Sequence, residues 1–165
     1  MEIRKSTLND IQEILHVFDI AREYMISQGN TSQWGDGYPG EEILKKDISN
    51  KNNYVILDNG SIVGTFSLII GDDPTYRIIK NGAWHYDQTY GTIHRLASTG
   101  ITRGIARTCF EFCSKQSDYL RIDTHKDNHT MRAAITKYGF QECGIIFVRD
   151  GSERIAYDYF KKEVD

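Results

Sequence analysis

The 165 residues predict a mixed α/β fold in which helices cover a central sheet. Three observations carry that prediction. Short β-rich runs alternate with runs of helical period in the order β-α-α-β-β-(insert)-β-α-β-α-β-β. An Asn59-Gly60 step lies between two β-rich runs, which is a strong hairpin signal. In mid-chain, the run from Gly91 to Ala106 reads as strand, glycine-containing turn and helix.

Each element has a local reason. Glu2 to Lys5 alternate and form a short strand. Ser6-Thr7 offers an N-cap. From Leu8, apolar residues recur at Ile11, Ile14, Leu15, Phe18, Ala21 and Met25, a helical period that ends near Gln28-Gly29. A polar and aromatic loop follows, with Gln33, Trp34, Tyr38 and Pro39. A second helix from about Gly40 to Ser49 turns Ile43, Leu44 and Ile48 inward. Asn53–Leu57 and Ile62–Ile70 are the hairpin strands. Gly71 to Pro74 breaks the chain, and an insertion from Thr75 to Tyr90 follows. Within it, Tyr76 to Ile79 is either a further strand or an irregular extension. Thr92 to Ala97 is the next strand; it turns at Ser98-Thr99-Gly100. A helix starts near Gly104, with Ile105, Ala106, Cys109, Phe110 and Cys113 on its apolar face. Tyr119–Thr124 is a strand, and Asp127-Asn128 caps a helix from His129 to Tyr138 that Gly139 ends. Phe140–Phe147 and Glu153–Phe160 close the sheet around Asp150-Gly151.

The totals narrow the function classes. The length fits one domain over residues 1–165, with no repeat or linker. A net charge of −3 leaves no basic footprint, so nucleic acid is not an expected partner. No apolar run approaches membrane-spanning length, and the first residues are too polar for a secretory signal. Cys109, Cys113 and Cys143 are an odd count for a disulfide framework and point to a reducing, cytoplasmic setting. Cys109 and Cys113 share a helix face, where core filling is the expected use; no metal site shows recognisable spacing.

The strand–turn–helix at Gly91 to Ala106 is the first chemical signal. The first backbone N–H groups of a helix lack partners within it, and the helix dipole adds partial positive charge there. Such a pocket suits a phosphate or pyrophosphate. Arg103 and Arg107 bracket it with full charge. No G-x-x-x-x-G-K-[ST] occurs, which disfavours a P-loop phosphotransferase.

The element order and this motif resemble the GCN5-related N-acetyltransferase (GNAT) family. The family's R/Q-x-x-G-x-G/A turn corresponds to Ile101-Thr102-Arg103-Gly104-Ile105-Ala106, with Ile101 where Arg or Gln is usual. Downstream, Asp127-Asn128, Met131, Lys137-Tyr138-Gly139-Phe140 and Cys143-Gly144 resemble the family's Asn-capped helix and its closing G-F. The resemblance implies a mostly antiparallel sheet of six to seven strands, splayed between the fourth and fifth. It implies acetyl-CoA as cosubstrate and a primary amine as acceptor. The pantetheine arm is expected between His94–Ser98 and Leu120–Thr124, on Leu96, Ala97 and Ser98. The diphosphate is expected on Ile101, Thr102, Arg103, Gly104, Ile105 and Ala106, with Asn128 and Met131 also at the cofactor.

The implied reaction is direct attack of the amine on the thioester, without an acyl-enzyme. It needs a base, and a histidine titrates in the useful range. His94 is the first candidate. His125 is the second, because Arg121, Asp123 and His125 alternate onto one strand face and Asp123 is placed to orient a histidine. The Leu96 N–H is the expected oxyanion donor. The family's tyrosine acid falls at Ile135; Tyr138 lies near the same helical face and is the substitute. Trp34, Tyr38, Tyr76 and Trp84 are the expected acceptor-binding aromatics. Glu41, Glu42, Asp72 and Asp73 add negative charge for a cation. The alternative function is a non-catalytic CoA-binding or sensing module of the same fold. The expected state is monomer or homodimer.

Overall fold

The computed structural model describes residues 1–35 and 37–161. Asp36 of the aromatic loop and the last four positions of the expected 1–165 domain lie outside the described residues.

Seven strands form one sheet in the order β1-β2-β3-β4-β5-β7-β6. They are β1 (Glu2–Lys5), β2 (Asn53–Asp58), β3 (Ser61–Ile70), β4 (Gly91–Ser98), β5 (Tyr119–Thr124), β6 (Gln141–Phe147) and β7 (Glu153–Phe160). Every pairing is antiparallel except β4 with β5. The helices are α1 (Ile11–Ser27), α2 (Glu41–Ser49), α3 (Ile105–Gln116) and α4 (His129–Tyr138). Leu8–Asp10, expected as the first turn of α1, is instead a short 3-10 turn. There Asp10 accepts from the Thr7 amide at 2.7 Å and pairs with Arg4 at 2.8 Å. Pro74–Tyr76 is also a 3-10 turn, with the Asp73 carboxylate accepting from the Thr75 amide. The Tyr76–Ile79 run is therefore the irregular extension and not a strand; its end touches the sheet through an isolated bridge from Lys80 to Ile145. Asn59 and Gly60 both take positive φ, as the two-residue hairpin requires.

Strand alternation sends neighbouring residues to opposite faces. Ile56, Phe66, Ile93, Leu120, Ile122 and Tyr157 pack on one face beneath α3 and α4. Val55 and Ala97 pack on the other, beneath α1 and α2. Tyr119 and Ala156 lie on that second face too, and the insertion covers them with Tyr76 and Tyr90. The second face thus has two separate covers, helices over one half and, over the other, the expected Thr75–Tyr90 insertion together with Asp72–Pro74 before it (the 72–90 insertion). The strands under the gap between them are β4 and β5. Among the described residues, no helix is long and apolar enough to cross a membrane.

Candidate active site

β4 and β5 are paired only at Gly91–Leu120 and Thr92–Arg121. Beyond that point the register ends and the strands part. The cleft between them is lined by Ile93, Arg95 and Leu96 from β4, Ile122, Asp123 and Thr124 from β5, and Asn128 and Met131 from α4. Met25, Gln33 and Trp34 form its α1 side.

A bulge shapes the β4 edge. Ser67 faces His94 and Thr65 faces Ala97, so Arg95 and Leu96 together oppose Phe66. The extra residue reverses the strand's parity: Leu96 joins Ile93 in the α3–α4 core, while Ala97 returns to the α1–α2 face. A bulge also takes a backbone group out of the β3 ladder. Arg95 carries the strain at φ 53, a conformation costing a non-glycine residue about 1–2 kcal/mol. Its guanidinium is held at Asp47 by contacts of 2.8 and 2.7 Å and donates to the Tyr38 hydroxyl at 3.2 Å. The buried Asp47 also accepts from Ser67 at 2.7 Å.

After β4, Ser98 Oγ accepts from the Gly100 amide, and Thr102 Oγ1 donates to Asp58. The first bond closes the turn on itself and the second pins it to the β2–β3 hairpin. Gly104 caps α3 at φ 82, where a side chain would be strained. Among the described residues, the amides of Arg103, Gly104, Ile105 and Ala106 have no hydrogen-bond acceptor. Gly104 and Arg103 are exposed, so the pocket of donors opens to solvent. Arg107 is exposed and pairs with Glu111. Ile101 is 84% exposed.

On the opposite face, His94 Nε2 lies 3.0 Å from Asp73 Oδ2. A proton on Nε2 makes this a charge-assisted bond and leaves the Nδ1 lone pair available. Burial alone would raise the Asp73 carboxyl, but the bonds from His94 and Thr75 outweigh it and bring its pKa to about 2. Asp123 does not orient a histidine, as alternation suggested. It accepts from the Tyr76 hydroxyl at 2.6 Å. Burial pushes its carboxyl up, against the opposing pull of the Tyr76 bond and the nearby His94 and Arg154.

His125 is committed elsewhere. Its Nδ1 accepts from the Asp127 amide at 3.0 Å, which puts the ring proton on Nε2, 3.2 Å from Ser32 Oγ. Burial lowers its pKa. Tyr138 packs among Phe110, Phe140 and Tyr159, with its hydroxyl 3.3 Å from Ser114 of α3. That is a half-buried position against the α3–α4 core, not one on the cleft. Asn128 caps α4 by accepting from Met131 at 3.1 Å, and its Nδ2 donates to Gln33 Oε1. Gln33 Oε1 also meets Thr124 and the His125 amide.

The four aromatics divide. Trp34 is buried edge-on against Phe18 and reaches the cleft. Tyr38 is exposed. The Tyr76 ring is 1% exposed and in the core; only its hydroxyl reaches the site. Trp84 donates to the Tyr76 carbonyl and lies 4.1 Å from the Arg121 guanidinium, so it holds the insertion together. Among the acids, Asp72 pairs with Arg77 and Glu41 with Lys45. Cys109 and Cys113 are fully buried on the core-facing side of α3, with sulfurs 4.0 Å apart.

Sequence comparison with family models and with curated proteins gives no match. Solved structures do match. A GNAT-family acetyltransferase from Streptococcus agalactiae is 31% identical, with 98% of this chain and 96% of that one aligned at a TM-score of 0.90. The chain belongs to the GNAT family of acetyltransferases. A GNAT-family acetyltransferase from Bacillus cereus aligns over 98% of each chain at 18% identity and a TM-score of 0.65. The ribosomal-protein-S18-alanine N-acetyltransferase of Escherichia coli aligns over 99% of this chain and 96% of its own, at 13% identity and a TM-score of 0.63. At those lower identities the likeness is one of fold. The mixed sheet with its single parallel β4–β5 pair is that GNAT architecture.

Two partners of the site were beyond sequence reasoning. Asp73, whose negative charge alone marks it in the sequence, is the partner of His94. Gln33, seen only as part of a loop, closes one end of the cleft. The Asp73-Pro74 step signals only a turn, in which the carboxylate accepts from the backbone two residues on; it does not point to His94.

Proposed function

We propose that this single domain moves an acetyl group from acetyl-CoA to a primary amine by direct attack in a ternary complex in the cytoplasm, acting as monomer or homodimer. The observation that carries this is the early end of β4–β5 pairing beside an open set of α3 amides. An amide-rich pantetheine arm takes the place of the missing strand contacts, bonding Leu96, Ala97 and Ser98. The diphosphate sits on the amides of Arg103 to Ala106, where unpaired N–H groups and the helix dipole favour an anion.

The thioester carbonyl then lies by the bulge, and the Leu96 N–H stabilises the oxyanion as it forms. His94 Nδ1 removes a proton from the ammonium of the acceptor. Asp73 holds the imidazole through Nε2 and stabilises the cation it becomes. The free amine attacks the carbonyl carbon, the C–S bond breaks, and acetyl ends on nitrogen. The nitrogen gives up its second proton to the departing thiolate, directly or through solvent, and His94 returns the first proton to solvent. A thiol with a pKa of about 8.5 leaves without a dedicated acid, which fits a chain with Ile135 at the acid position and Tyr138 packed against the core, away from the cleft.

Calorimetry with acetyl-CoA, followed by thiol release over a panel of amines, tests this. Binding with amine-dependent thiol release is the expected result. Binding with no turnover on any amine supports the non-catalytic module, and failure to bind removes both.

A further inference from the structure

We propose that His85, Cys143 and Asp158 form a site for a zinc-class divalent transition-metal ion that clamps the 72–90 insertion to the β6–β7 edge of the sheet. His85 Nδ1 lies 2.7 Å from Asp158 Oδ1 and 3.3 Å from Cys143 Sγ. One ligand atom from each of the three residues lies within 4.8 Å of the others. The three come from different parts of the chain: the insertion, β6 and β7.

The surroundings are those of a built site. β6 slips register between Glu142 and Gly144, so Cys143 is the bulge residue. A bulge re-aims its side chain, and here it brings the thiol to the face that carries Asp158. Two glycines let the insertion lie directly on the bulge. A Cβ on Gly82 would sit 1.8 Å from the Cys143 carbonyl oxygen, and one on Gly144 would sit 2.6 Å from that of Lys80. The second oxygen of Asp158 is already held, accepting from the Tyr119 hydroxyl at 2.7 Å and from the His85 amide at 2.9 Å. That leaves Oδ1 facing His85 and Cys143, the one-oxygen presentation that carboxylate ligands take when their other oxygen is bonded. Cys143 and Asp158 are buried, while the His85 side chain is 40% exposed, so a water can reach the fourth position.

The donor set selects the ion. One thiolate, one imidazole nitrogen and one carboxylate oxygen suit zinc and its neighbours, not calcium or magnesium. A tetrahedral zinc ion sets its N and O ligands about 3.4 Å apart and its N and S ligands about 3.6 Å apart. The present 2.7 and 3.3 Å therefore need only small side-chain shifts. Binding releases the thiol proton to solvent and moves the imidazole proton to Nε2. Thiolate and carboxylate then balance the ion's two charges. The positive Arg121 stands one bond back, with its Nε on the Tyr119 hydroxyl.

The test uses the whole chain, stripped with a chelator and titrated with cobalt(II). The expected result is one equivalent bound, with a thiolate-to-cobalt absorption band that zinc abolishes by displacement, and a higher melting temperature in zinc. Cys143→Ser should lose the band. His85→Ala, at a half-exposed position, should weaken binding at least about tenfold. A wild-type chain that binds no cobalt stoichiometrically overturns the proposal. So does a band that persists in Cys143→Ser, which would move the ion to Cys109 and Cys113.

Discussion

On the α3 side of the β4–β5 cleft, the proposed contacts are backbone groups from one run of chain, Leu96 to Ala106. On the other side they are side chains from three separate places: Asp73 and Tyr76 in the insertion, His94 on β4 and Asp123 on β5. The first side is fixed by local geometry. A turn, a glycine at φ 82 and a helix start are enough to leave its amides free. The second side exists only because the insertion folds back over β5. The α3 pocket can thus be kept while the other side is rebuilt by changing one segment.

The predictions separate the two sides. The largest effect is expected from His94→Ala. It should lower kcat/KM for the amine about 10²- to 10⁴-fold and remove the acid limb of the pH profile, with acetyl-CoA affinity unchanged. An unchanged pH profile would pass the role of base to solvent. Asp73→Asn should follow, with a loss of about tenfold or more in kcat, because the imidazole then lacks the group that sets its tautomer. A change confined to KM would make Asp73 a substrate contact instead.

Gly104→Val should act on the other side alone. It forces a β-branched residue to positive φ, at a cost of about 1–2 kcal/mol, and should weaken acetyl-CoA binding while KM for the amine stays put. If the two constants move together, the sides are not independent.

Acid stability gives a further check. The folded Asp73 has its pKa lowered from 3.8 to about 2, so it adds stability above about pH 4 that is lost as pH falls toward 2. That contribution is about 2 kcal/mol, and Asp73→Asn should abolish the pH dependence in this window. The smallest effect is expected from Tyr138→Phe. It removes a hydroxyl that meets Ser114 of α3 at the edge of the core, worth about 1 kcal/mol of stability or less, and should leave kcat unchanged. A large fall in kcat would restore Tyr138 as the acid.

The same contrast explains what the sequence disclosed. The strands, the Asn59-Gly60 hairpin and the α3 pocket are written in short windows, and the fold follows them closely. Alternation correctly placed Arg121 and Asp123 on β5, whereas His125 falls just past its end. It could not say which segment would cover that face, so Asp123 was matched to a histidine when its partner is Tyr76, 47 residues away. The aromatics of the insertion looked like a binding surface because nothing local shows that Tyr76 and Trp84 pack on Tyr90 and Arg121. His85, Cys143 and Asp158 are spread over 73 residues, beyond the reach of any spacing rule.

A co-crystal structure with CoA tests the central claim most directly. The account predicts the arm lying between His94–Ser98 and Ile122–Thr124, with the diphosphate on the amides of Arg103 to Ala106 and the sulfur beside Leu96. CoA bound elsewhere, with β4 and β5 closed on each other, would contradict it.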